Sequence, residues 1–165
     1  MKKNILFLIL FLIISLNSQS QIIYVKQDAT GLNDGTNWEN AYTDLSTAIN
    51  SSQSGQIWVT EGLYFPSTDL DAEIPTDPKL KTFKLKLNIA IYGGFIGVET
   101  DLDQRNWINH PTILSGNIGD SNLYTDNLKN VISSEYVDLN SNTILDGLTI
   151  KGGYASNDGG GIYVN

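Results

Sequence analysis

Apolar positions along this chain follow two different periods, and the change between them predicts the elements. Ile22 to Val25 forms a short apolar run suited to a strand, followed by a Gly-, Asn- and Asp-rich turn from Asp28 to Asn37. Ala41, Leu45, Ala48 and Ile49 then recur at helical spacing and make one apolar stripe. This predicts a helix over about 40–52, started by Asn37 or Asn40 and stopped before Gly55. After Gly55 the period becomes two. "QIWVTEGLYF" is rich in β-branched and aromatic residues and reads as a strand and a turn. "PSTDLDAEIPTDPKL", acidic and with three prolines, reads as a surface loop. In "KTFKLKLNIAIYGGF" the alternation of Phe83, Leu85, Leu87, Ile89 and Ile91 with polar or small residues predicts one strand with a single buried face, broken at Gly93-Gly94.

Beyond Gly94 the pattern supports only short strands, at Thr112–Leu114, Asn130–Ile132, Thr143–Leu145, Leu148–Ile150 and Gly161–Val164. "TILSG" at 112–116 recurs as "TILDG" at 143–147. A repeated short strand unit with polar turns and no intervening helix points to a β-solenoid. An antiparallel sandwich also uses short strands at regular spacing. The scarcity of two-residue hairpin turns favours the solenoid.

The first residues follow a third pattern. Lys2 and Lys3 precede an unbroken apolar run from Ile5 to Ile14, and Ser18-Gln19-Ser20 offers a small-residue cleavage site. This is the layout of a secretory signal peptide over residues 1–20, with a mature chain from Gln21. The run is too short to span a bilayer, which takes about 20 apolar residues. Removing its two lysines leaves 8 basic against 18 acidic residues, a net charge of −10. An acidic surface argues against nucleic acid as a partner. It also keeps an exported protein soluble. The chain has no cysteine, so disulfides, thiolate catalysis and cysteine metal sites are excluded.

"DGTNWENAYTDLSTAI", "YGGFIGVETDLDQRNW" and "PTILSGNIGD" resemble successive blocks of bacterial secreted right-handed parallel β-helix proteins of the pectin-lyase-like superfamily. "GGGIYVN" resembles a repeat of chlamydial polymorphic outer-membrane proteins. The resemblance implies an all-β, right-handed parallel β-helix with an N-terminal capping α-helix, in which Leu45, Ala48 and Ile49 face the first coil. Residues 21–165 would then be the cap and the first coils, with the chain ending mid-solenoid. Its last coil would offer an open edge for pairing. The implied setting is extracellular, or the outer surface of a Gram-negative-type bacterium.

Candidate chemistry is sparse. Glu61, Glu99, Asp101 and Asp103, with Arg105 nearby, are the acids and base that a polysaccharide-acting enzyme of this kind would use. A glycosidase needs two carboxyls at a defined separation. The plainer expectation is that Glu99 and Arg105 form a loop ion pair solvated by the two aspartates. "DATGLNDG" and "SNDGGG" lack the spacing of known calcium loops. His110 is the only histidine and reads as a loop residue. Trp38, Trp58, Trp107, Tyr64 and Tyr92 suit sugar stacking if exposed, and core or cap otherwise. The sequence therefore assigns no catalytic, cofactor-binding or metal-ligating residue. It points to a non-catalytic secreted or cell-surface protein, adhesin-like or structural in the envelope, with host or envelope glycans or proteins as partners. The alternative is the N-terminal part of a polysaccharide lyase or glycoside hydrolase whose site lies elsewhere.

Overall fold

The computed structural model describes residues 21–134, 139–155 and 160–164. The expected signal peptide, residues 1–20, lies outside them, as do residues 156–159 of "SNDGGG". The described residues form ten strands: β1 (Ile22–Val25), β2 (Gly55–Thr60), β3 (Gly62–Tyr64), β4 (Phe83–Lys84), β5 (Ile89–Phe95), β6 (Thr112–Ser115), β7 (Ile132–Ser134), β8 (Ile144–Asp146), β9 (Leu148–Lys151) and β10 (Ile162–Val164). An α-helix, α1 (Leu45–Ser51), lies between β1 and β2.

The strands make three sheets, ordered β1-β2-β5-β8, β3-β6-β9 and β4-β7-β10. Every strand pair is parallel. The antiparallel sandwich is thereby excluded. The expectation of an all-β, right-handed parallel β-helix with a capping helix is also corrected. What the described residues establish is three separate short parallel sheets, of four, three and three strands, and not a closed solenoid. The reason lies in the connections. Strands of two to seven residues are joined either by single residues or by irregular stretches such as 65–82, 96–111 and 116–131, and no ladder among the described residues runs from one sheet to the next.

The inner faces share one core. Ile23, Ile57 and Ile91 stand in register across the first sheet and are buried. Tyr64 and Leu114 do the same in the second, and Phe83 and Ile132 in the third. Leu45, Ala48 and Ile49 of α1 join this cluster. The helix is shorter than expected and starts elsewhere. Asp44, not Asn37 or Asn40, caps it by accepting from the Thr47 N–H at 2.7 Å. At its other end the Lys86 ammonium donates to the carbonyls of Ile49, Asn50 and Ser52, where the helix dipole favours a cation.

The single strand expected over Phe83–Ile91 is split. Asn88 takes φ 60, Leu87 turns outward to 40 % exposure, and β4 and β5 enter different sheets. Conversely, Gly93-Gly94 does not end β5. The register passes from Trp58 opposite Tyr92 to Thr60 opposite Phe95, so β5 carries one extra residue there. This bulge uses Gly94 at φ 98, where a Cβ would lie 2.7 Å from the Trp107 nitrogen. The "TILSG"/"TILDG" repeat is not a structural repeat. Thr112–Ser115 sits in the second sheet opposite Leu148–Lys151, whereas Ile144–Asp146 sits in the first opposite β5.

Candidate functional site

The residues singled out for chemistry gather where the chain crosses from the first sheet to the second. Glu61 alone joins β2 to β3, and Gly147 alone joins β8 to β9. Between β5 and β6 the same corner expands into residues 96–111. The Glu61 N–H donates to the Phe95 carbonyl (2.7 Å) and the Gly62 N–H to the Pro111 carbonyl (3.1 Å), so both ends of this loop are clamped to the simpler corner beside it.

Glu99 is 8 % exposed and folds back on its own loop. Its Oε1 accepts from the Ile96 N–H at 2.8 Å, and its Oε2 from the Gly97 and Val98 N–H groups at 3.0 Å each. Burial alone would raise its carboxyl, but these backbone donors together hold it below its ordinary value. The expected Glu99–Arg105 ion pair is not formed. Arg105 instead reaches Asp146 at 2.9 Å, and its guanidinium lies 5.0 Å from the Tyr92 ring centre and 4.8 Å from that of Trp107. Asp146 stands beside Tyr92 in the neighbouring strand, a register invisible in the linear sequence. Asp101 and Asp103 are exposed around the 3-10 turn Leu102–Gln104 and do not converge on Glu99. His110 is held rather than loose, with Nδ1 3.0 Å from Glu61 Oε2.

Four aromatic rings sit on the outer face of the first sheet. Trp58 and Phe95 stack with centres 4.7 Å apart, while Tyr24 and Trp38 meet them edge-on or tilted. The Trp38 indole N–H donates to the Glu99 carbonyl at 2.9 Å, which ties this cluster to the loop. Tyr64 is buried, bonds Thr60 through its hydroxyl at 3.0 Å, and has its pKa pushed up by burial to about 12. Of the candidate stacking residues only Trp107, at 50 % exposure, offers a large open face.

A hollow of about 310 Å³ opens beside the corner, lined by Lys26, Gln27, Asp28, Thr60, Glu61 and Ile96. Among the described residues, no group of three or more His, Asp or Glu side chains is placed to hold a metal ion. The Oδ1 atoms of Asn117, Asp126 and Asn127 are buried acceptors without a protein partner, which suits ordered water.

Replacing Glu99 tests this account. Glu99→Gln keeps the shape, loses the charge, and presents an amide NH₂ to one of the three donors. It is expected to cost about 1–3 kcal/mol near neutral pH. The sign with pH follows from the lowered carboxyl. The wild-type stabilisation is complete above the unfolded-state value of 4.5 and is lost as pH falls through the lower folded-state value. Denaturant titrations at several pH values should therefore show the gap between wild type and Glu99→Gln closing at acid pH. A gap independent of pH would refute the role given to the charge.

No family model, curated protein or solved structure matches this chain.

Proposed function

We propose that this is an exported, non-catalytic protein of the cell surface or its surroundings, whose loop 96–111 forms a rigid external feature for binding or envelope structure. The observation that carries the reading is the use made of Glu99, Arg105 and Glu61. The Glu99 carboxylate is saturated by three backbone N–H groups, Arg105 is engaged by Asp146, and Glu61 is engaged by His110. A general acid must hold and release a proton near the working pH. A buried carboxylate held below its ordinary value is poorly suited to that work. The start of the chain, with its basic residues, apolar run and small-residue site, supports export. The acidic balance supports glycan or protein partners over nucleic acid.

The direct test is to incubate the secreted protein with pectin, alginate and other uronic-acid polymers in the presence of calcium. Unsaturated-product absorbance is then followed. No product above a no-protein control is expected. Product formation would overturn the non-catalytic reading and direct attention to the Glu61–His110 pair, whose Glu61 lines a hollow.

A further inference from the structure

A second hollow, of about 350 Å³, opens on the outer face of the second sheet, beside the start of the loop that follows β6. Its walls differ in kind. Leu63 of β3 and Phe65 just beyond it are apolar and remain 41 % and 42 % exposed. Ser115 of β6, Lys151 of β9 and Asn117 of the loop supply the polar groups. We propose that this hollow binds the C-terminal residue of a peptide that ends on an apolar side chain. The carboxylate meets Lys151 and Ser115, the last N–H meets Asn117, and the side chain lies against Leu63 and Phe65. This goes beyond the surface role proposed above and does not depend on it.

The register fixes where these groups stand. Ser115 lies opposite Lys151, and Leu63 opposite Ile113, in one parallel sheet. Leu114 and Ile150 pack on the shared core, so the next residues, Ser115 and Lys151, share the outer face. Neighbouring strands lie about 4.8 Å apart, so β3 and β9 stand about 10 Å apart with β6 between them. An apolar wall and a cation therefore face each other across β6, a gap that an α-carboxylate and a leucine or phenylalanine side chain bridge. Lys151 is the charged residue of this lining, and it joins none of the ion pairs formed among the described residues. The nearby acids of the loop are occupied within it. Asp126 Oδ2 accepts from the Asp120 N–H at 2.8 Å, and Asp120 Oδ1 from the Asn122 N–H at 2.9 Å.

The hydrogen-bonding capacity left over matches such a ligand. Ser115 Oγ accepts from the Asn117 N–H at 3.2 Å, which leaves its hydroxyl proton to donate to an oxyanion. Asn117 Oδ1 is a buried acceptor that no protein donor meets, an arrangement that a ligand N–H relieves after a small turn of the side chain. Gly152, at φ 74, makes room for Asn117, because a Cβ there would lie 2.9 Å from the Asn117 nitrogen. Other ligands use the lining less well. A plain apolar acid leaves the Asn117 oxygen unmet, and a sugar leaves Leu63 and Phe65 uncovered. A free amino acid brings its ammonium toward Lys151, a charge of the same sign. An apolar wall with a few fixed polar groups is the usual make-up of a small-ligand site, and the volume lies at the lower end of the usual range.

The experiment is calorimetric titration of the full exported chain with N-acetyl-phenylalanine and four relatives that each change one feature. They are its amide, N-acetylglycine, 3-phenylpropanoate and free phenylalanine. N-acetyl-phenylalanine should bind with Kd of about 1 mM, and each of the other four about tenfold or more weaker. Lys151→Met should erase the preference for the acid over its amide, and Asn117→Ala the preference over 3-phenylpropanoate. Leu63→Ser/Phe65→Ser should erase the preference over N-acetylglycine. The amide or N-acetylglycine binding as tightly as N-acetyl-phenylalanine overturns the proposal, and so does no binding by any probe. Equal binding of 3-phenylpropanoate overturns it in favour of a plain apolar acid, and equal binding of phenylalanine in favour of free amino acids. A preference that survives its own variant overturns it as well. The wild-type series decides by itself where a variant does not fold.

Discussion

Leu45→Asp is expected to destabilise the protein by at least about 4 kcal/mol, enough to unfold a large share of a domain of ordinary stability. Leu45 is 1 % exposed at the first position of α1 and belongs to the shared core. The substitution removes a buried aliphatic side chain, itself worth about 2–5 kcal/mol. It also puts a carboxylate where no cation answers it, so the cost rises further. α1 packs against β4, β1 and β2, so the damage reaches both the first and the third sheet. Leu45→Met keeps the volume and should cost less than about 1.5 kcal/mol. Thermal unfolding followed by circular dichroism checks both, and an unchanged midpoint for Leu45→Asp would remove α1 from the core.

Phe95→Ala is expected to cost about 3–5 kcal/mol, the usual loss for a buried aromatic. Phe95 is fully buried, yet it belongs to the outer aromatic cluster and not to the shared inner core. It stacks on Trp58 and touches Trp38, and the extra residue of the β5 bulge sets its position. Its loss should free the Trp38–Glu99 link and loosen loop 96–111. Tryptophan emission should shift to longer wavelength as water reaches Trp58, which is 2 % exposed in the intact protein. A destabilised variant with unshifted emission would show that the cluster does not depend on Phe95.

The two substitutions separate two kinds of apolar burial that look alike in the sequence. Both residues fall in β-rich or amphipathic stretches, and nothing local tells an inner-core position from an outer-cluster one. Trp58 shows the same ambiguity. It alternates with Ile57 and Val59 in β2, so its side chain points away from the shared core, and it is buried against Phe95 and Tyr24.

Local pattern was enough to determine much of the secondary structure. Ile22–Val25 reads as a strand, the 45–49 stripe as a helix face, and the short runs after Gly94 as strands, except that the run expected at Asn130–Ile132 lies two residues later, at Ile132–Ser134, because side-chain period reports backbone period directly. Pairing was not legible, since register and sheet membership depend on residues far apart in sequence. Identical "TIL" strings therefore enter different sheets, and Arg105 finds Asp146 rather than the nearer Glu99. The candidate acids could be named from the sequence, but their use could not. Glu99 is surrounded by the backbone N–H groups of its own loop, and only the folded path of 96–99 turns those donors inward.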